Sequence, residues 1–521
     1  MRFFILFPIL LFVLNGAFAQ KNPLVTSDSL DQRNWVDAKY NSLTLDEKLG
    51  QLFMVMVASD QGKSSTDQIK KLIEQEGIGG VIFSTGGPVR QARLTNEYQK
   101  ASKLPLLIGM DAEWGLSMRL DSTYAFPWNM TLGAIEDNTI VADVGRRIGE
   151  HAKRLGVHIN FAPDLDINTN PKNPIIGNRS FGEDRENVAE KGIAFMKGME
   201  SAGVLSSGKH FPGHGDTATD SHHALPLINF SRNRLDSLEL YPFQRLIDGG
   251  LSSVMVAHLE VPALELQEGL PSSLSEQVIT GILKEEMCFE GLVFTDALNM
   301  KGVTESRKDG EAELAAFMAG NDILLMPTEI EKAKEKLTKA YKKGRISEER
   351  LAYSVKKILM AKYKVGLNRY QPVQVENLYN DLNSREDDLL YEEAIENAIT
   401  VVKNDFFLMG IKRLENKKIA YVKFGDSDSD VFVESLNKYT TVTQVNAGDI
   451  NTLKKKLEDF NLVIVGHHKS NESPWKAYKF SDKELNWLKE IAAMRSSNLI
   501  LSVFAKPYAL LDVPSFDNID G

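Results

Sequence analysis

"LLIGMD", Leu106 to Asp111, is a short apolar run that closes on a carboxylate, and the fold turns on how often that arrangement recurs. Similar runs begin at Leu52 ("LFMVMV"), Gly79 ("GGVIF"), His158 ("HINFA"), Val204 ("VLSSG"), Ser252 ("SSVMVA"), Leu292 ("LVFT") and Asp322 ("DILLM"), which makes eight. Near-continuous apolar strands separated by helical stretches belong to a parallel sheet buried on both faces, and eight of them predict a (β/α)8 TIM barrel. Between two of them, "EDNTIVADVGRRIGEHAKRLG" reads as a helix capped by Asp137 or Asn138 and stopped at Gly156.

The barrel reading gathers the ionisable residues into one place. Asp111 ends its run, Asp164 and Asp166 follow "HINFAPDLD", Lys209 and His210 end "VLSSGKH", His258 ends "VMVAH" and Asp296 ends "LVFTD". In a barrel all of these lie at the C-terminal mouth, where strand ends and the loops after them build active sites. Solvent explains any single polar strand end. Five of them, spread from Asp111 to Asp296, point to a shared pocket.

The chain has 521 residues, 43% hydrophobic and 25% charged, which is globular composition and length enough for two domains. A formal net charge of -10 argues against a nucleic-acid partner. The Lys-rich "EKAKEKLTKAYKKGR" interleaves Glu at helical spacing and reads as a solvated helix face. At the N-terminus, Arg2, the run "FFILFPILLFVL" and "NGAFAQ" form a signal peptide over residues 1–19, cleaved after Ala19. Export to the periplasm or medium follows. No later run reaches the ~18 apolar residues of a membrane span, so no membrane insertion is expected after cleavage. Cys288 is the sole cysteine, which rules out an intramolecular disulfide, and its apolar neighbours make it read as a small buried hydrophobe.

Residues 20–370 form the predicted barrel domain. The polar "VGLNRYQPVQVENLYNDLNSREDD" and the helix "LLYEEAIENAITVVKN" make a linker and connecting helix over residues 371–400. Residues 401–521 then carry a second set of strands, at Lys418, Thr440, Leu462 and Asn498, with helices between them. That is a smaller α/β sandwich domain, which ends on a turn poised to begin another strand and so reads as incomplete, cut from a longer protein. His467 and His468 read as strand-end residues at its surface. No acid/base constellation appears in it, so residues 20–370 alone are expected to keep activity.

"GKHFPGHGDTATDSHH", Gly208 to His223, holds four of the nine histidines. Pro212 and Gly213 break the helix that metal ligands spaced four apart would need, and no H-E-x-x-H pattern is present. A structural loop would suit His214 and His223 individually. Acid/base chemistry suits Asp220 and His222, which point the same way in an extended segment. A carboxylate beside an imidazole fixes its tautomer and raises its pKa above the ordinary ~6.5. Such a histidine can protonate a leaving group while Asp296 supplies a nucleophilic carboxylate.

"KHFPGHGDTATDSHHALP", with "LTLDEKLGQLFMV", "GNRSFGED", "MVAHLEVPAL" and "FTDALNM", resembles glycoside hydrolase family 3 in its β-N-acetylglucosaminidase branch. The resemblance runs from Leu43 to Leu367, and the second domain is similar to the α/β sandwich of two-domain members. It implies a retaining double displacement: Asp296 attacks the anomeric carbon, and His222, held by Asp220, protonates the leaving oxygen and then activates water. Lys209, His210, Asp111 and Arg179 would hold sugar hydroxyls, with His258 lining the same pocket and no metal or other cofactor. The implied substrate is an amino sugar glycoside with terminal β-linked N-acetylglucosamine, derived from peptidoglycan as a muropeptide. A neutral histidine repels an anionic acceptor less than a carboxylate does, so a phosphorylase stays open as an alternative, as does a non-catalytic carbohydrate-binding protein. The chain departs from the family pattern at Trp114, where a glycine is common, and at Ala297, where a polar residue is common.

Overall fold

The computed structural model describes residues 22–217, 225–304, 308–494 and 497–521. The expected signal peptide lies outside the described residues. So does the segment that carries Asp220, His222 and His223.

All eight expected apolar runs are strands, and they pair in parallel around a barrel. They are β1 (Phe53–Val57), β2 (Gly80–Phe83), β3 (Leu107–Met110), β4 (Ile159–Asn160), β5 (Leu205–Phe211), β6 (Ser253–Val256), β7 (Leu292–Thr295) and β8 (Leu324–Leu325). The spatial order is β7-β6-β5-β4-β3-β2-β1-β8. A parallel bridge between Phe294 and Ile323 brings β7 back to β8, with the Thr295 N–H on the Ile323 carbonyl at 3.1 Å. Side chains fill the interior: Phe161 and Phe294 are fully buried and meet edge to face at 5.1 Å.

The helix expected after β3 spans Asn138–Arg154. The Asp137 carboxylate caps it by accepting the Thr139 N–H, and Gly156, at φ +77°, turns the chain past its end. The Lys-rich segment is the helix Ile330–Lys342, but it is not solvated all round: Lys334 is buried between Asp46, at 2.8 Å, and Glu76, at 2.9 Å. Cys288 is exposed, contrary to the sequence reading. Directly after the helix Gln277–Glu286 the chain reverses through Cys288 at φ +55°, and its neighbours Met287 and Phe289 take the inward positions.

The second domain holds a four-stranded parallel sheet, β9 (Ile419–Gly425), β10 (Val442–Gln444), β11 (Leu462–His468) and β12 (Asn498–Phe504), in the order β10-β9-β11-β12. Beyond β12, Asp520 and Gly521 exchange backbone hydrogen bonds with Leu499 and Leu501. His467 and His468 are buried, which corrects the surface placement. His467 stacks on Phe480 at 3.7 Å, while His468 stacks on Phe504 and meets the Tyr421 hydroxyl at 2.6 Å. Between the domains the polar segment lies along the barrel helices. Arg154 donates to the Gln374 and Glu376 carbonyls and to Asp381, and Arg147 reaches buried Asp387 in the helix Arg385–Ala398.

Candidate active site

Strand-end residues meet at the C-terminal mouth of the barrel. Asp111 follows β3, and its carboxylate lies between Lys209 Nζ at 2.8 Å and Arg119 Nη2 at 2.7 Å. Glu113, two residues on, is fully buried; it takes Arg179 through two N–H groups, at 2.7 and 2.9 Å, and Lys209 at 2.8 Å. Burial pushes the Asp111 and Glu113 carboxyls up, yet these cations outweigh it and hold both below the usual carboxylate range. Lys209 and His210 are sequence neighbours that both reach the site. The register of β5 against β6 shifts between Gly208 and Phe211, a bulge that re-aims side chains which would otherwise alternate across the sheet.

His210 connects this cluster to a second one. Its Nε2 faces Arg179 Nη2 at 3.2 Å, and since guanidinium nitrogens only donate, Nε2 accepts. The ring proton therefore sits on Nδ1 and is donated to Asp166 at 2.6 Å. The other Asp166 oxygen accepts the His214 N–H at 2.6 Å. Burial raises the Asp166 carboxyl, and His210 and His214 overcome that and lower it. Asp164 goes the other way. It is wholly buried beside Asp166, one of its oxygens has no hydrogen-bond partner, and burial holds it well above the usual range as a neutral acid.

Asp164, Asp166 and His210 are close enough together to take a metal ion. Both ring nitrogens of His210 are engaged within the protein, however, and the Asp164 oxygen without a hydrogen bond faces Arg179 at 3.6 Å. The donor set suits a proton and a guanidinium better than a metal ion.

Asp296 follows β7. Its N–H donates to the Val256 carbonyl of β6, and its carboxylate accepts the Ala297 N–H at 2.7 Å. Burial pushes this carboxyl up, but His258, His210, the Ala297 N–H and Lys209 together hold it below the ordinary value, as an ion. Strands β5, β6 and β7 thus act on one carboxylate. His258 is fully buried behind it, with Nε2 on the Ala297 carbonyl at 3.0 Å and Nδ1 at the Ser273 hydroxyl at 2.6 Å, so it braces the Asp296 turn.

Past β5 the loop through Gly213 and Gly215 packs on the loop after β4. A Cβ on Gly215 would lie 1.8 Å from the Ile167 carbonyl oxygen, so only glycine allows this approach. Asn173 holds the two loops together by donating to the His214 carbonyl at 2.8 Å. His214 Nδ1 meets the Thr217 hydroxyl at 2.6 Å, and burial depresses its pKa to about 4. The chain then enters 218–224, so Asp220 and His222 have no described position.

Asp111, Arg179, Lys209, His210, His258 and Asp296 are therefore gathered at one end of the barrel. Glu113, Asp166 and Arg119 complete the network. Asp166 is among the strand-end residues read from the sequence, whereas no apolar run ends on Glu113 or Arg119. Trp114 and Trp128, both half-buried, meet edge to face at 6.5 Å in the same β3 loop. Such a ring of fixed donors and acceptors around an ionised carboxylate suits a polyhydroxylated ligand presenting an electrophilic carbon.

The model of the glycosyl hydrolase family 3 N-terminal domain matches residues 44–361. Beta-hexosaminidase A of Pseudoalteromonas piscicida is 30% identical over 491 residues, covering 87% of this chain and 80% of its own. A solved glycoside hydrolase family 3 beta-N-acetylglucosaminidase from Paenibacillus sp. str. FPU-7 matches with a TM-score of 0.72 at 31% identity, over 92% of this chain and 93% of its own. A beta-glucoside phosphorylase bound to 2FGlc matches with a TM-score of 0.76 at 26% identity, over 93% and 90% of the two chains.

Proposed function

The chain belongs to glycosyl hydrolase family 3, and on that premise we propose that it is an exported β-N-acetylglucosaminidase that removes terminal β-linked N-acetylglucosamine from peptidoglycan fragments with retention of configuration. The observation that carries this reading is Asp296, an ionised carboxylate at the end of β7 within the field of His258, His210 and Lys209. Asp296 attacks the anomeric carbon as the glycosidic bond breaks, and His222, paired with Asp220, gives its proton to the departing oxygen. Water then displaces Asp296, losing a proton to His222, which restores both groups. Asp111, Lys209, Arg179 and His210 hold the sugar hydroxyls while this happens. Relatives named for hexosaminidase and N-acetylglucosaminidase activity favour the amino sugar. Export rests on residues 1–19, and among the described residues no helix is long and apolar enough to cross a membrane.

The test is hydrolysis of aryl β-N-acetylglucosaminide, β-glucoside and β-xyloside by the wild type and by Asp296→Asn. Turnover of the N-acetyl sugar alone, lost by at least about a thousandfold in the variant, is the expected result. Undiminished activity in Asp296→Asn would remove it from the nucleophile role. His222→Ala is expected to lose far more activity on alkyl than on activated aryl glycosides, because only the former need a proton at the leaving oxygen. Equal losses would take His222 out of the acid role. A second reading, phosphorolysis, is favoured by the likeness to a beta-glucoside phosphorylase, and appearance of sugar 1-phosphate in phosphate buffer would establish it.

A further inference from the structure

We infer that Tyr508, in the second domain, positions Arg179 for sugar binding by clamping the barrel loop that carries it. The inference rests on the proposed sugar-holding role of Arg179. Its evidence lies in the loop from Asp164 to Gly182, a long connection whose regular structure is a single turn over Gly177–Arg179. Two buried asparagines hold it from within. Asn168 Oδ1 accepts the Gly177 N–H at 3.1 Å, and Asn173 Oδ1 accepts the N–H groups of Ile175 and Ile176. The amide of Asn168 finds its acceptor across the domain boundary. Nδ2 donates to the Tyr508 hydroxyl at 2.7 Å, and that hydroxyl donates back to the Asn168 carbonyl at 3.3 Å. Asn168 is wholly buried and Tyr508 nearly so, which makes the pair costly to break.

Further second-domain donors reach the same loop: Trp475 Nε1 at the Ile175 carbonyl, 3.3 Å, and the Tyr478 hydroxyl at the Pro171 carbonyl, 3.4 Å. Lys506 packs against Gly177, where a Cβ would stand 2.6 Å from its ammonium nitrogen. Tyr508 reaches Arg179 through Asn168, which holds Gly177 of the same turn, while Trp475 shares the Ile175 carbonyl with Arg179 Nη1 at 3.4 Å and the Arg179 N–H closes the turn on Ile176. Asn173 carries the same hold on to His214. The second domain therefore bears on the loop that carries Arg179, and a barrel of residues 20–370 alone would lack the contacts of Trp475, Tyr478, Lys506 and Tyr508.

Tyr508→Phe in the full chain removes one hydroxyl and keeps the ring. It is expected to raise KM for aryl β-N-acetylglucosaminide about tenfold with kcat changed less than about threefold, and to speed amide exchange selectively over residues 164–182. In an Arg179→Ala background the same substitution should add nothing further to KM, since it acts through Arg179. Unchanged KM in Tyr508→Phe, or effects of the two substitutions that multiply, would overturn the inference. If Arg179→Ala itself leaves KM unaltered, the sugar-holding role is at fault instead. Exchange over 164–182 then judges the clamp without any catalysis, and unchanged exchange in Tyr508→Phe overturns it.

Discussion

Glu113 is the residue on which the charges of the pocket balance. Fully buried, it neutralises Arg179 and shares Lys209 with Asp111, so two buried cations at the mouth are held by carboxylates. Glu113→Gln keeps the shape and removes the charge, leaving the buried guanidinium undercompensated. Breaking such a pair costs about 3–5 kcal/mol of stability, and a misplaced Arg179 should lower kcat/KM about a hundredfold. Urea unfolding and steady-state kinetics check both. Unchanged stability would mean that Arg179 finds its counter-charge elsewhere, for instance in Asp164. In the wild type Asp164 is held well above the usual carboxylate range, first by burial and then by the Asp166 charge beside it.

Among the elements, the loop after β5 is closely held as far as Thr217. It runs from the re-aimed Lys209 and His210 through Gly215, pressed against the Ile167 carbonyl, and on toward the segment that bears Asp220 and His222. Gly215→Ala forces the loop off the β4 side. The expected outcome is a loss of activity of about a hundredfold or more while thermal unfolding stays cooperative, because the barrel strands are untouched. Full activity in this variant would show that the approach to Ile167 does not govern the catalytic loop. The β4 loop is the partner element, and its bonds to the second domain set this element-level argument against the expectation, drawn from the sequence, that the barrel works alone.

The whole molecule divides its tasks between the ends of the barrel. The mouth carries the charged network, and the opposite end carries two basic groups whose pKa values burial lowers. His158, just before β4, accepts the Ile108 N–H, and burial together with nearby Lys362 depresses its pKa to about 3. Lys362 donates to Gln51, just before β1, and burial brings its pKa down to about 7. Both values are below those of the unfolded chain, so unfolding takes up protons in each window and stability rises with pH there. The His158 contribution is complete above about 6.5 and is lost as pH falls toward 3; the Lys362 contribution grows from about 7 toward 10.5. Thermal unfolding of the wild type followed across pH should show both limbs, and Lys362→Met should make the upper one shallower, leaving the part contributed by Lys284, which burial brings down to about 8. An upper limb of the same slope in the variant would assign it to other groups.

The order of eight parallel strands, the second sheet and the mouth position of Asp111, Lys209, His210, His258 and Asp296 were legible in the sequence by itself. Run length, spacing and the residue that ends a run are local properties, and a barrel converts strand-end position into proximity whatever the intervening helices are. Asp164 and Asp166 were legible in the same way, and Glu113 was not, since it ends no apolar run. The exposure of Cys288 and the burial of His467, His468 and Lys334 were not, because they depend on which face a turn or helix presents to neighbours distant in the chain. Only the tertiary structure decided the pairing of Glu113 with Arg179, the tautomer of His210 between Arg179 and Asp166, and the meeting of Asn168 with Tyr508. Each joins residues whose separation in sequence carries no period or motif. What selects them is burial: a polar group shut away from water must take whatever partner the packed chain brings within reach.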